Sequence, residues 1–171
     1  MKKQLSFIFF LIAHISFSQV WQWRNTEPDI KILKDHNNEL YIFSNSSAGI
    51  SIRKRAGNGN ILWTKSINGG ATITDYKIDG ANNLIILGNI TSTSTIDNAT
   101  LTPNGPTGFF ILKMTSSASV LNAKVYGDTS AASANALFIN PNGDYLIGGG
   151  FVNGFTMNGT AISGDTLTNF L

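Results

Sequence analysis

Short apolar runs alternate with polar turns along most of the chain. Three segments share one pattern, in which Asp or Asn opens a polar turn and four or five mostly apolar residues follow. These segments begin at Asp35, Asp79 and Asn140. Asn142-Gly143, Gly57-Asn58-Gly59 and Asn82-Asn83 supply the positive φ values that tight hairpin turns need. The pattern predicts antiparallel strands joined by short turns.

Two longer segments also repeat. IRKRAGNGNILWTKSI from Ile52 and ILKMTSSASVLNAKVY from Ile111 align without a gap and share lysines at the third and fourteenth positions. The span from the Asp or Asn turn to the Ile segment covers 35–52 in the first copy and is nearly twice as long, 79–111, in the second. The return spans, 52–79 and 111–140, are almost equal in length. Length variation is therefore concentrated in one connection, which is typical of a surface loop on a fixed scaffold.

Some predicted strands are apolar without alternation, as in residues 84–87 (LIIL) and 109–112 (FFIL). Such strands have both faces covered, so another sheet is expected on each side. Each repeat is predicted to form four strands, at positions equivalent to residues 132–139, 144–151, 108–115 and 120–126. Four-stranded antiparallel sheets that stack in this way are the blades of a β-propeller, so an all-β propeller is the predicted fold. A β-sandwich is the alternative.

Residues 1–18 have the layout of a secretory signal peptide. Lys2 and Lys3 precede a mostly apolar run, and Ser16 and Ser18 are small residues spaced like a cleavage site. The apolar run is shorter than the roughly 20 residues that span a bilayer, although a retained anchor is the alternative. We expect cleavage after Ser18, a secreted or cell-surface protein, and no stable membrane insertion of the mature chain.

Composition and charge narrow the function classes. The chain is 42% hydrophobic and 13% charged and has no cysteine, which excludes a disordered chain, a charge-rich helical bundle, a disulfide framework and a thiolate metal site. Loss of Lys2 and Lys3 leaves the mature chain formally neutral, so we predict no nucleic-acid partner. The basic run Arg53-Lys54-Arg55 is interpreted as the solvated face of a strand and its turn.

The repeat resembles a known family. GNILWTKSINGG from Gly59, YKIDGANNLIILGNI from Tyr76 and GFFILK from Gly108 resemble the SBBP-type bacterial β-propeller repeats. The resemblance covers most of residues 29–171 and implies a propeller in a secreted or cell-surface protein. Asn122 stands where the family often has Trp, and Asn140 stands where it has Asp, so the copies are degenerate.

The resemblance and the spacing together divide residues 19–171 into repeat copies at roughly 24–67, 68–126 and 127–171, the last of them truncated. A closed propeller typically has four to eight blades. We therefore expect an incomplete propeller that forms the N-terminal part of a longer protein.

Several clusters of polar residues have two interpretations, one as a catalytic or metal site and one as part of a turn. His36 lies in a predicted turn and is interpreted as a solvated turn residue rather than a catalytic base. Asp35, Asn37 and Glu39, like Asn140, Asn142 and Asp144, offer oxygens at alternate positions that suit calcium. Turn hydrogen bonding is the favoured explanation of these residues, because Asx side chains bond to nearby backbone.

Aromatic residues give two further candidates. Gly57, Gly59 and Trp63 resemble the tryptophan docking turn of quinoprotein propellers, but the favoured role of Trp63 is apolar packing between blades. Trp21 and Trp23 lie on one face of a predicted strand and either pack on the first blade or stack on sugar rings. Asp165-Thr166-Leu167 resembles a short O-glycosylation acceptor.

The function predicted from these features is an exported, non-enzymatic β-propeller scaffold that binds an unidentified protein or glycan through its variable loops. We predict no catalytic, metal-binding or cofactor-binding residue. A carbohydrate-binding or carbohydrate-processing module is the alternative. The long loops, residues 89–107 and 152–168, contain Phe155 as their only aromatic residue and Asp97 and Asp165 as their only carboxylates, which counts against this alternative.

Overall fold

The computed structural model describes residues 31–157, 160–163 and 168–170, with only the backbone of Phe155 and of residues 168–170. Within these residues the chain forms fifteen β-strands and no helix, so the predicted all-β class is confirmed. The strands are β1 (Lys31–Lys34), β2 (Leu40–Ser46), β3 (Gly49–Arg55), β4 (Ile61–Asn68), β5 (Ala71–Ile78), β6 (Leu84–Ile90), β7 (Ser94–Ile96), β8 (Ala99–Leu101), β9 (Gly108–Met114), β10 (Val120–Tyr126), β11 (Ala132–Ile139), β12 (Tyr145–Phe151), β13 (Gly154–Met157), β14 (Thr160–Ser163) and β15 (Thr168–Phe170).

Three antiparallel sheets repeat one strand order. Sheet 1 has the order β1-β2-β3-β4 and is extended beyond β4 by the hairpin β7-β8. Sheet 2 has the order β5-β6-β9-β10, and sheet 3 has the order β11-β12-β15. The chain passes from the last strand of each of the first two meanders, β4 or β10, to the first strand of the next sheet. Each of these meanders thus starts at one edge and ends at the other.

Five hairpin turns share one geometry. In each, the N–H of the first residue donates to the carbonyl of the fifth, and the N–H of the fourth donates to the carbonyl of the first. The turns begin at Asp35, Ala56, Asp79, Thr115 and Asn140. The fourth residue always has a positive φ, as predicted for Gly59 (88°), Asn82 (61°) and Gly143 (89°). Ala118 (73°) adopts this conformation without being Gly or Asn, which the sequence did not suggest.

Sheet 2 is the middle layer of the stack. Leu84 and Ile86 belong to the apolar core shared with sheet 1, whereas Ile85 and Leu87 belong to the core shared with sheet 3. All four side chains are 0% exposed. The continuous apolar run therefore has both faces covered, as predicted.

The irregularities of the sheets repeat with the sequence. The register skips Thr74 in β5 and Asn135 in β11, which precede the turns at Asp79 and Asn140 by the same distance. It also skips Leu62 in β4 and Leu121 in β10, which occupy the same position of the ungapped alignment. β-Bulges are specific local features. Bulges of the same kind therefore fall at matched positions of the aligned segments.

The spans predicted as variable surface loops contain strands of their own. Residues 94–101 form the hairpin β7-β8, in which Ser94, Ile96 and Leu101 are almost completely buried. Asp97 supplies the positive φ, 49°, for its tight turn. The second span contains the hairpin β13-β14. The hairpins were not predicted, because their short alternating segments consist largely of Ser and Thr.

Candidate functional site

A cleft of about 540 Å³ opens between the last strand of sheet 2 and the hairpin β13-β14. Residues 124–128 line it, together with Asn104 and Thr156, and we call it the β10 cleft. Residues 124–126 end strand β10, and residues 127–128 begin the link to β11. Asn104 comes from the first long insertion and Thr156 from strand β13 of the second. The cleft therefore lies where both predicted variable spans meet the edge of sheet 2.

The side chains of the β10 cleft are polar and of mixed charge. The Tyr126 ring stacks on Phe109, with centroids 5.2 Å apart and planes 21° apart. The ammonium of Lys124 lies 5.3 Å from the centroid of the Tyr126 ring. The hydroxyl of Thr156 donates to Oδ2 of Asp128 at 3.2 Å, and the Thr129 N–H donates to Oδ1 of the same carboxylate at 2.8 Å. The lining thus offers an amide, a hydroxyl, a phenol and one charge of each sign.

The cleft follows the edge of a strand rather than its face. Successive side chains of a strand point to opposite faces, so a cleft on one face is lined by alternate residues. Here the consecutive residues 124–128 all contribute to the lining. In the strand order of sheet 2, β10 is the last strand.

The equivalent place between sheets 1 and 2 is closed. There the hairpin β7-β8 pairs with the edge of β4, with Thr95 opposite Asn68. Nζ of Lys65 contacts both carboxylate oxygens of Asp97 at 2.5 and 2.7 Å. Lys65 and Lys124 are the matched lysines at the fourteenth position of the aligned segments. The two sites thus lie at matched positions of the aligned segments; a strand pairs with the edge at the first, and none of the described strands pairs with it at the second.

The two junctions also differ in the link between consecutive sheets. Gly69 and Gly70 are the whole link from β4 to β5, whereas residues 127–131 join β10 to β11. A Cβ on Gly69 would lie 2.4 Å from the Thr93 carbonyl oxygen, so glycine lets the hairpin approach closely. The longer link supplies Asp128, which binds Thr156 instead. The cleft was not predicted from the sequence, because attention went to the long spans that differ most in length. The one sequence signal for it is that the second return span, residues 111–140, is slightly longer than the first, residues 52–79.

Both junctions share one cross-sheet tie. Oδ1 of Asn45 in β2 accepts the Ile73 N–H of β5 at 3.4 Å. Oδ1 of Asn89, the equivalent residue in β6, accepts the Ala134 N–H of β11 at 2.8 Å. Asp75 adds a further bond at the second junction, where its Oδ2 accepts the Leu137 N–H at 2.8 Å. These bonds hold the first strand of each sheet against the preceding sheet.

The basic run at residues 53–55 contains a buried ion pair. Lys54 is 2% exposed, and its Nζ lies 3.0 Å from Oδ2 of Asp35 and 2.6 Å from Oε2 of Glu39. Its interpretation as part of a solvated face was therefore wrong. Burial acts against the charge, but the bonds to Glu39 and Asp35 outweigh it and raise the pKa of Lys54. Burial likewise acts to raise the pKa of Asp35, but the Glu39 N–H and Lys54 prevail and lower it.

The turn between β9 and β10 receives two donors from sheet 1. Nζ of Lys54 and Nε1 of Trp63 donate to the Ser116 carbonyl at 3.1 and 3.0 Å. Trp63 also packs against the core between the two sheets, as predicted. At the second junction, the pair between Lys113 and Asp79 repeats the first at 2.9 Å but is more exposed, at 32% and 11%. Its bond to Asp79 raises the pKa of Lys113.

The Asp and Asn turns use their side-chain oxygens for backbone bonds. Oδ1 of Asp35 accepts the N–H groups of Asn37 and Glu39, both at 2.9 Å. Oδ1 of Asn140 accepts the Asp144 N–H at 2.9 Å. His36 is exposed, and its backbone N–H donates to Asn82. In the part of the chain that the structure describes, no group of three or more acidic or histidine side chains is arranged to hold a metal ion.

The signal peptide, Trp21, Trp23 and the segment Asp165-Thr166-Leu167 lie outside the described residues. Among the described residues, no helix has the length and apolar character needed to cross a membrane. No protein-family model, curated protein or solved structure matches the chain.

Proposed function

We propose that this protein is an exported, non-enzymatic binding scaffold of the β-propeller type that holds its ligand in the β10 cleft. The observation that carries the binding role is the cleft itself, about 540 Å³ in volume, at the meeting point of both insertions. Binding residues on a rigid β-scaffold commonly come from such insertions. Export is supported by the signal-like pattern of residues 1–18.

A propeller arrangement is supported by how the sheets follow one another. The meanders of sheets 1 and 2 end at the edge opposite to their first strand, and the chain then enters the first strand of the next sheet. Sheets packed on both faces of sheet 2, with the tie from Asn45 repeated at Asn89, agree with consecutive blades. The resemblance to SBBP-type repeats points the same way. A β-sandwich is the alternative, and closure into a ring distinguishes the two.

A glycan ligand is the second candidate. Tyr126, Asn104 and Asp128 place an aromatic ring, an amide and a carboxylate around one cleft, and sugars are bound by such groups. The carboxylate and ring come from β10 and its link rather than from the long loops. A hydrolytic role is not favoured, because the lining contains one carboxylate and glycoside hydrolysis ordinarily uses two.

The test is a binding screen of the purified protein against a glycan array and a displayed library of random heptapeptides. Binders are then measured with Thr156→Trp, which fills the cleft, and with Thr160→Trp, which puts the same side chain on the exposed strand β14 of the same hairpin. We expect at least a tenfold loss of affinity for the first variant and no loss for the second. Absence of any binder, or binders equally tolerant of both changes, contradicts the proposal.

A further inference from the structure

We propose that the side chains of Lys54 and Asp35 condense into an amide cross-link, with Glu39 as the acid–base catalyst and water as the only product released. The inference concerns the buried ion pair of the first junction and does not depend on the proposed binding function. It requires an amine beside a carboxyl group, donors that stabilise the charge developing on that group, a base that moves the protons, and exclusion of solvent.

The two reacting groups are already in contact. Nζ of Lys54 lies 3.0 Å from Oδ2 of Asp35, and the two side chains are 2% and 0% exposed. Oδ2 is a buried oxygen that has no aligned hydrogen bond besides this ionic contact. Groups held at about 3–3.5 Å react with the advantage of an intramolecular reaction. The fold thus supplies the proximity that an amine and a carboxylate lack in water.

The other carboxyl oxygen of Asp35 is held by two backbone donors. Oδ1 accepts the N–H groups of Asn37 and Glu39, both at 2.9 Å. When an amine attacks the carboxyl carbon, negative charge develops on the oxygen that remains, and two N–H donors at this distance stabilise it as an oxyanion hole does. Both donors belong to the hairpin turn that begins at Asp35, so the turn fixes their positions.

Glu39 is placed to move the protons, since its Oε2 lies 2.6 Å from Nζ of Lys54. It accepts one proton from the ammonium, and the resulting amine attacks Cγ of Asp35 to form the Nζ–Cγ bond. The Cγ–Oδ2 bond then breaks, and Oδ2 leaves as water with the proton returned by Glu39 and a second proton from Nζ. The amide keeps one N–H, Glu39 is regenerated, and no oxidant or further reactant is needed.

The surroundings favour the uncharged product. Tyr41 is 0% exposed, and Nζ of Lys54 lies 4.9 Å from the centroid of its ring. Condensation removes two charges from this buried place, where charged groups are costly. The N–H that the amide keeps can still donate to the Ser116 carbonyl, 3.1 Å from Nζ. The lowered pKa of Asp35 and the raised pKa of Lys54 belong to the ion pair that precedes the reaction.

The second junction provides a matched pair that lacks the catalyst. Lys113 lies 2.9 Å from Oδ2 of Asp79, whose Oδ1 likewise accepts two backbone N–H groups. Asn83 stands where the first copy has Glu39, and its amide donates to Oδ2 of Asp79 at 3.0 Å. An amide does not take up the ammonium proton, and this pair is 32% and 11% exposed. We therefore expect a cross-link at the first junction and none at the second.

The experiment is mass spectrometry of the unmodified protein, purified after export and denatured, with its N-terminus determined by sequencing. We expect a mass lower than that of the sequence by one water molecule. After digestion with trypsin, residues 35–53 and 54–55 should remain joined, and fragment ions should place the link between Asp35 and Lys54. Glu39→Gln keeps the size of the side chain and should have the full mass, whereas Lys113→Met should form the link as the parent does.

Each contrary outcome is decisive. The full mass in the unmodified protein overturns the proposal. So does a loss of water that persists in Lys54→Met, or one that maps to Asp79-Gly80, where an aspartate can also lose water by closing on the next N–H. A link between Lys113 and Asp79 as complete as the first, or complete cross-linking in Glu39→Gln, would show that Glu39 is not the catalyst. The deciding mass is that of the unmodified chain, so it does not depend on how a variant folds.

Discussion

At the junction between sheets 1 and 2, the hairpin β7-β8 pairs with the edge of β4, with Thr95 opposite Asn68. We call the edge of β4 and the matching edge of β10 the rims of the two junctions. At the junction between sheets 2 and 3, the equivalent hairpin β13-β14 lies beside β10 without pairing with it, and a cleft lies between them. The inner ties at Asn45 and Asn89 are the same in both. The two junctions thus share the bonds that hold neighbouring sheets together, and they differ in the length of the link and in whether the hairpin pairs with the edge of the preceding sheet.

The two junctions also differ in the depth of their ion pairs. Lys54 and the side chain of Asp35 are 2% and 0% exposed, whereas Lys113 and Asp79 are 32% and 11% exposed. The Lys–Asp distances are similar, 3.0 and 2.9 Å, whereas burial differs and Lys54 has Glu39 as a second carboxylate partner. The cost of losing a lysine depends on whether water can replace it.

The largest expected effect comes from removing these lysines. Lys54→Met leaves the buried carboxylate of Asp35 without its cation, which should lower the free energy of unfolding by roughly 3–5 kcal/mol. Lys113→Met should cost no more than about 1 kcal/mol, because solvent reaches that pair. Denaturant unfolding of both variants measures the difference. If the two variants lost the same unfolding free energy, the greater burial of the Lys54 pair would not make it the more costly to break.

The next effect is the loss of stability in acid. The pKa values of Asp35 and Asp79 are lowered in the folded protein, against the effect of burial, by bonds to lysines and backbone N–H groups. The stability they contribute is therefore complete above the ordinary Asp pKa of 3.8 and is lost as the pH falls through the lower folded values. Unfolding measured from mildly acidic pH to the acid limit of folding should show this decline.

Asp79→Asn provides the control for the acid effect, because Asn140 shows that asparagine serves the same turn. The variant should have a shallower decline with acid than the unmodified protein. An unchanged slope would show that Asp79 does not contribute to it.

A smaller effect is expected at the cross-sheet ties. Asn89→Ala leaves the N–H of Ala134, a fully buried residue, without its 2.8 Å bond and should cost about 1–3 kcal/mol. Asn45→Ala breaks a longer bond of 3.4 Å and should cost less, about 1 kcal/mol. Thermal unfolding of the two variants compares the ties directly. The reverse order would contradict the account of these ties.

The smallest effect on stability is expected from Asp97→Asn, which breaks the exposed pair with Lys65. The two side chains are 39% and 28% exposed, so the loss should stay below about 1 kcal/mol and disappear in high salt. Asn158 holds the equivalent position in the second copy, so the substitution makes the closed rim more like the open one. A melting temperature that falls equally in low and high salt would show that the pair does not act electrostatically.

Much of the scaffold follows from local sequence pattern. The run at residues 84–87 predicts burial on both faces, and Gly59, Asn82 and Gly143 predict the hairpin turns, because both features depend on residues close in the chain. The predicted strands at residues 108–115, 120–126, 132–139 and 144–151 agree closely with β9 to β12. Strand positions are thus encoded by alternation and turn chemistry.

The candidate site could not be predicted in the same way. Lys124, Tyr126 and Asp128 form a cleft only because β13 stands beside β10, which is a contact between segments that are far apart in the chain. The hairpin β7-β8 was missed because Ser and Thr occupy its inward and outward positions, so its apolar alternation is weak. Lys54 was predicted to lie on a solvated face because its partner Asp35 is distant in the chain: Lys54 lies in β3, and Asp35 begins the turn between β1 and β2.

Amide hydrogen exchange at the two rims tests the central claim most directly. Peptides that cover residues 65–69 and 124–128 are followed in the unliganded protein under identical conditions. The account predicts slower exchange in the first, where β7 pairs with Asn68, and faster exchange in the second, where the edge of β10 faces the cleft. Equal protection of the two stretches, or slower exchange in residues 124–128, would contradict it.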